Sequence, residues 1–378
     1  MTQFAYAYVF MLAMILLEVG IVKYAQRKTI PWVEMIANLN SGHLVMLLFR
    51  SLEIAGFAFL LAHANLHLVD QLPVIWQWIF GFIAWDFCFY WMHRLHHKIP
   101  LLWAVHHVHH QGEEFNLTLA VRNSWYSSLT NFPFIAPLAI LGLPLEIFVV
   151  ASSIHYTVQF YNHNGLIKKS GFLDKIMVTP ANHKVHHGLH PLYIDKNFGG
   201  TFLLWDKLFG SFQELRDDID DRIGLKGDIS SHNPVWFNHR PLIKWIKKRF
   251  PETDNPLQLS QAYIGFSGIS LFILSIFYVY IHGKIPAYKE WSLFTGLFIG
   301  MFLIGGMSDK KSWGLKGWII FCFAFPIYQI IWLQHHDPIL LACVPLLILS
   351  AIWGVKFLSL TKREVRRGKA KGLHIRKK

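Results

Sequence analysis

Charge is scarce in this sequence. Asp, Glu, Lys and Arg make up only 16% of its 378 residues, against 53% hydrophobic, and the mean hydropathy is +0.33. That balance excludes an ordinary soluble domain and makes a membrane protein the first reading. Cysteine is nearly absent: Cys88, Cys322 and Cys343 each fall in an apolar run and form no Cys-x-x-Cys pair, so no thiol motif is present and the redox compartment is not legible. Repeats of whole helices are lacking. The first apolar run has no basic segment before it and no small-residue cleavage site, so it reads as a retained span rather than a removed leader. Aromatic residues are missing from the basic tail, Lys362 to Lys378, which holds nine Lys/Arg and one Glu. A base-stacking nucleic-acid site is therefore excluded, and the tail reads as a topology signal with attraction to anionic lipid.

What is present in quantity is apolar sequence. Seven or eight runs reach or approach the roughly 20 residues that cross a bilayer core. They lie near Phe4 to Val22, His43 to Ala62, Val74 to Met92, Phe132 to Phe160, Ala262 to Ile281, Trp291 to Gly306, Gly317 to Trp332 and Ile339 to Leu358. The run from Phe132 to Phe160 is too long for one span and carries Gly142 and Pro144, so it reads as a tight hairpin of two helices. Basic loops set the orientation. With the first terminus outside, Lys23/Arg27/Lys28, the histidine motifs, the Lys310/Lys311/Lys316 loop and the tail all fall in the cytosol. The expected architecture is an all-α polytopic membrane bundle with a cytosolic histidine-rich di-metal cap. Its expected domains are residues 1–73, with the first spans, 74–250, with the histidines, and 251–378, a four-span block and tail divided off near Pro251 to Leu257.

Histidine is the conspicuous polar residue. Three segments share the pattern His-x-x-His-His: His93, His96 and His97; His106, His109 and His110; His183, His186 and His187. On a helix, positions i, i+3 and i+4 lie within an arc of roughly 100°, so each motif aims two or three imidazoles at one point, while His107 points away. Neutral imidazole is a common ligand for first-row transition metals. Nine histidines exceed what one tetrahedral metal needs, so two metals are the economical count. The bland reading is a surface histidine cluster.

At these residues the sequence resembles the fatty acid hydroxylase/sterol desaturase superfamily of membrane di-iron enzymes. "DFCFYWMHRLHH", "WAVHHVHHQGEEFNLTLAVR" and "TPANHKVHHGLHPLYIDKNFGGTFLLWDKLFGSF" look like its three histidine boxes, over roughly Val74 to Phe212. The two N-terminal spans, the "NPVWFNHRPLIKW" segment and the C-terminal membrane block resemble the alkylglycerol monooxygenase branch. By position, the resemblance implies metal ligation by His93 and His97, by His106, His109 and His110, by His183, His186 and His187, and by His163 in "QFYNHN". His96 occupies a variable position of the first box. The resemblance further implies two iron ions, O2 and an external reductant. Ether-lipid enzymes carry an acidic residue after the first box, tied to a reduced pterin. Here Lys98 stands in its place, which favours a protein electron donor on the cytosolic face.

Asp86, seven residues before His93, is a candidate to support a ligand from behind, with a capped interfacial residue as the alternative. Glu113, Glu114, Asn116 and Arg122 are candidates to hold the second box, and solvated charge is the competing reading. Asp195 and Asn197 line the cap or form a turn before Gly199-Gly200. Arg50 and Glu53 read as a buried pair. The expected function is O2-dependent hydroxylation or desaturation of the apolar chain of a lipid drawn from the bilayer: an ether lipid, a fatty acyl lipid or a sterol. The alternative is a histidine-rich metal transporter or metal-binding protein, which would spread ionisable residues through the membrane depth; here they concentrate at one boundary.

Overall fold

Helix ends follow proline and glycine. The computed structural model describes residues 2–41, 43–225, 231–246 and 257–375. Among these the chain is helical, with two isolated β-bridges, Met177 to Phe202 and Gly188 to Ile223. In chain order the helices are α1 (Thr2–Gly20), α2 (Trp32–Leu39), α3 (His43–His63), α4 (Val74–Lys98), α5 (Pro100–His110), α6 (Ser127–Ile140), α7 (Leu145–Asn162), α8 (Pro180–His187) and α9 (Leu204–Leu208). After them come α10 (Pro234–Ile246), α11 (Gln261–Ile281), α12 (Ala287–Ser308), α13 (Ser312–Ile327) and α14 (Pro338–Ile375).

These elements divide into two compact units, Ser41–Ile229 and a second made of Met1–Asn40 with Ser230–Lys378. The expected boundary at Pro251 to Leu257 falls mostly outside the described residues. Within the second unit α1 and α2 pack on α11, and α11 to α14 form a bundle. There the Ser267 and Ser350 hydroxyls lie 2.8 Å apart and Trp318 Nε1 donates to Ser350 at 2.9 Å, joining three helices through polar contacts where apolar burial gives no net drive.

Six segments among the described residues are long and apolar enough to cross a membrane: Ala5–Ala25, Trp32–His63, Gln261–Ile281, Ala287–Ser308, Ser312–Trp332 and Pro338–Leu358. The sequence reading expected seven or eight. Val74 to Met92 and the two arms of the hairpin fall short of that standard. Helix α6 is short, at 14 residues, and α4 and α7 carry polar residues, Asp86, His93 and His155, all buried. Outward, α4 stays apolar, with Ile75, Trp76, Ile79, Ile83 and Phe87 exposed.

In the histidine unit, α6 and α7 form the hairpin anticipated from Gly142 and Pro144. Gly142 adopts φ +90°, and a Cβ there would lie 2.5 Å from Asn65 Oδ1. Glycine is required on both counts. Pro144 then precedes α7 in extended conformation. The hairpin packs on α3 and α4 through Phe57, Trp85, Leu143, Ile147 and Phe148, all buried, with the Phe57 and Phe148 rings stacked at 4.0 Å. A second break sits at Ile99-Pro100. Proline pushes its predecessor out of the helical region, and Ile99 is extended at φ −96°, ψ 119°. Helix α4 therefore stops at Lys98, and α5 starts one residue later with Pro100 in its first turn.

Candidate metal centre

The corner at Ile99 brings the C-terminal turns of α4 and α5 together, and these turns carry the first two histidine motifs. The third occupies α8, which starts at a Thr179-Pro180 step where the Thr179 N–H donates to Asn182 Oδ1. Nine imidazoles converge in two groups. His93, His97, His106, His110 and His186 form one, and His109, His163, His183 and His187 the other, with the ligand-capable atoms of each group within 4.8 Å of one another.

Helical phase explains the division. Residues i and i+4 stand about 40° apart on one side of the helix, while i+3 stands on the other side of i. His106 and His110 enter the five-membered group and His109 the other. In α8 the roles exchange: His183 and His187 enter the group of four, and His186 crosses to the group of five. Each of these motifs straddles the seam. In α4, His93 and His97 join the group of five, whereas His96 turns its Nε2 to Thr130 Oγ1 at 3.0 Å and its Nδ1 to the Met92 carbonyl at 2.7 Å. The position it leaves is filled by His163, from the end of α7. His107 is buried outside both groups.

The donor pattern fits a bound cation. Nδ1 of His93 donates to the Phe198 carbonyl (2.9 Å), His109 to Arg122 (3.0 Å), His163 to Gln159 (2.7 Å) and His186 to Lys196 (2.9 Å). A proton held at Nδ1 leaves Nε2 as a bare lone pair. Yet Nε2 atoms approach one another at 3.0 Å (His93 to His106), 3.2 Å (His106 to His110) and 3.0 Å (His110 to His186). In the other group the steps are 3.2 Å (His109 to His163), 3.0 Å (His163 to His183) and 3.2 Å (His183 to His187). His109 and His163 both donate from Nδ1, so at their 3.2 Å contact two bare lone pairs face each other, which repel unless a cation lies between them. Two nitrogens bound at right angles about 2.1 Å from one metal would be about 3.0 Å apart. Burial and the neighbouring rings hold His110, His183, His186 and His187 far below the ordinary imidazole range. They are therefore neutral and ready to ligate.

Support comes from a loop that the sequence reading only partly identified. Asp206 accepts from the Phe198 N–H (2.8 Å), the Gly199 N–H (2.7 Å) and Ser211 Oγ (2.7 Å), fixing the carbonyl that His93 needs. Asp86 touches no motif histidine. It accepts from the Thr201 N–H (2.8 Å), the Phe202 N–H (3.3 Å) and Trp205 Nε1 (2.9 Å), so it secures the loop and not a ligand. Gly200 passes so close to His155 that a Cβ would fall 1.9 Å from its ring. Asn116 caps a local turn at Thr118 N (3.0 Å), Glu113 and Glu114 are exposed, and Asn197 holds Asn182 O and Gln213 O. Arg122 is buried, offers its carbonyl to His109, and donates to Val108 O and Gln111 Oε1 at 2.7 Å each. Asp195 stands 3.6 Å from His97 Nδ1 and is paired with Lys98. His97 and that ammonium hold its carboxyl well below the usual range. The charge of Lys98 is thus answered within the cap. Arg50 and Glu53 are paired as expected, and Arg50 also donates to Ser152 at 3.0 Å. Asp206 and His155 were missed. The available signal for Asp206 was a lone acid in the aromatic-rich run "TFLLWDKLF", where a carboxylate is buried only if its acceptors are used.

Comparison with known proteins converges on the same segment. Residues 78–211 match the fatty acid hydroxylase family model. Alkylglycerol monooxygenase of Danio rerio is 35% identical over 226 residues, 58% of this chain and 49% of its own length. The Homo sapiens enzyme of that name is 35% identical over 201 residues, covering 52% and 44%. An ornithine lipid hydroxylase of Rhizobium tropici is 28% identical over 171 residues, covering 43% and 49%. The matched stretch thus spans about half the length of these relatives. No solved structure matches the chain.

Proposed function

We propose that this chain is a membrane-bound di-iron oxygenase that hydroxylates the apolar chain of a lipid. The observation that carries the reading is the pair of imidazole groups, five and four strong, whose Nε2 atoms crowd at 3.0–3.2 Å, with the bare lone pairs of His109 and His163 facing each other. Fatty acid hydroxylase kinship supports oxygen chemistry over metal transport, and so does the confinement of the histidines to one end of the helices. The overall balance is R–H + O2 + 2 electrons + 2 protons giving R–OH + H2O. Iron held by the two groups would supply the O2 reduction and the hydrogen-abstracting power. The protein's part is to orient four of the nine imidazoles, His93, His186, His109 and His163, through Phe198 O, Lys196 O, Arg122 O and Gln159 O, and to keep the centre dry, since seven of the nine are buried.

The lipid is proposed to arrive from the bilayer, with the histidine motifs and the C-terminus on the cytosolic side, where the basic loops favour them and where a protein electron donor would dock. The test is metal analysis joined to turnover. Purified full-length protein should bind about two irons per chain, and His109→Ala and His186→Ala, one from each group, should each lose metal and lipid product. Full turnover by protein holding at most one metal per chain would overturn the two-iron reading.

A further inference from the structure

A ligating imidazole uses one nitrogen, and the partner of its other nitrogen decides how firmly the ring is held and how strongly it donates. In the group of five, three of these outer nitrogens face one short segment, 195–198. His186 Nδ1 donates to the Lys196 carbonyl and His93 Nδ1 to the Phe198 carbonyl, both at 2.9 Å. His97 Nδ1 stands 3.6 Å from Asp195 Oδ1, and its Nε2 is buried without a hydrogen-bond partner, as a nitrogen kept for a metal would be. The segment is itself pinned. The Asn197 N–H donates to the Ser211 carbonyl at 3.0 Å, and Asn197 Nδ2 donates to the Asn182 and Gln213 carbonyls at 2.9 and 2.8 Å. Its Oδ1 accepts from the Gln213 N–H at 2.8 Å. Asp195 and Asn197 both adopt left-handed backbone, φ +60° and +54°, a conformation uncommon for residues with a side chain and kept here by the contacts around it.

The group of four is held differently. His109 and His163 donate from Nδ1 to the Arg122 and Gln159 carbonyls. The Nδ1 atoms of His183 and His187 are buried and have no hydrogen-bond partner among the described residues. Their Nε2 atoms meet at 3.2 Å, so these are the nitrogens turned into the group. Ligation through Nε2 places the ring proton on Nδ1. For His183 and His187 the result is a buried N–H without an acceptor, a desolvation cost that His93 and His186 avoid. Charge adds to the difference. A carboxylate behind a ligating imidazole makes it a stronger donor, and Asp195 stands in that place at His97. Lys98 opposes it from a side chain that is 52% exposed, where water and salt screen its charge. We propose that the two groups are unequal metal sites: the group of five, backed by the 195–198 segment and its carboxylate, holds its metal tightly, and the group of four holds the metal that leaves first. The inference rests on the reading of both groups as metal-binding.

The experiment loads the purified full-length chain with Zn2+, which brings no redox change, and withdraws it with a graded series of chelator while the metal retained per chain is measured. Release should come in two steps whose apparent affinities differ by at least about tenfold. His183→Ala should remove the weaker step and keep the tighter one, and His97→Ala should do the reverse. Asp195→Asn keeps a residue that tolerates left-handed backbone and removes only the charge. It should weaken the tighter step by about tenfold or more and leave the weaker step in place, whereas Lys98→Gln, which retains the carboxylate, should leave the tighter step at least as tight. Loss of both metals in a single step from the wild type, or a tighter step that survives His97→Ala and vanishes in His183→Ala, would overturn the inequality. Two steps that are both unchanged in Asp195→Asn would overturn the part given to the carboxylate. A wild-type chain that binds no Zn2+ would overturn the metal reading itself, a result distinct from two metals that leave together.

Discussion

His96 and His109 hold the same place in their motifs, three residues after the first histidine, yet only His109 reaches the centre. The helical arc admits both, and what separates them is the partner available to each. Thr130 on α6 offers His96 a hydroxyl, whereas the Arg122 carbonyl takes the His109 Nδ1 proton and frees its Nε2. A similar indirect role belongs to Asp206, which never touches a histidine. Asp206→Ala would strand two buried N–H groups and a hydroxyl, at about 1–3 kcal/mol each, and would release the Phe198 carbonyl from its place under His93. The expected outcome is a loss of metal affinity of about 10–100-fold, first in the five-histidine group, read by chelator titration of the purified protein. Metal retention equal to wild type would mean that the loop holds its shape without this carboxylate. Lys98→Glu is a poorer probe of the electron donor than sequence reading suggests, because it would set a second carboxylate against Asp195 beside His97.

At the scale of elements, two breaks do most of the positioning. Without Pro100, α4 and α5 would run on as one rod, and the first two motifs, 13 residues apart at His93 and His106, would be separated by about 20 Å along it. The hairpin turn is the second break, since it returns α7 so that His163 completes the group of four. Gly142→Ala tests that turn directly. The left-handed backbone disfavours a side chain by about 1–2 kcal/mol, and the new Cβ would meet Asn65 Oδ1 at 2.5 Å. Thermal unfolding should shift down by several degrees, with metal stoichiometry kept below the transition. An unchanged Tm would show that the turn relaxes freely.

For the whole molecule, orientation in the bilayer is the property with the sharpest test. The proposed orientation puts the histidine motifs in the cytosol, on the side the basic loops favour. In a Cys88→Ser background, a cysteine at exposed Leu66 should react with an impermeant maleimide on intact cells, and one at exposed Leu192 only after permeabilisation; the reverse pattern would invert the topology. Legible in the chain alone were the helical membrane class, the hairpin at Gly142-Pro144, the Arg50–Glu53 pair and eight of the nine histidines that converge, each through local rules: apolar run length, proline and glycine geometry, or helical phase. His163 came from the family resemblance, and helical phase offered His96 in its place. The chain alone did not reveal the allotment of the histidines between two groups, the loop-holding work of Asp86 and Asp206, or the pairing that neutralises Lys98. They depend on which backbone group or side chain tertiary packing brings up, often from far along the chain, as Thr201 is brought to Asp86 and Phe198 to His93. Spacing along the chain carries no record of such meetings, and only the packing of α4, α5, α7 and α8 around the 198–206 loop decided them.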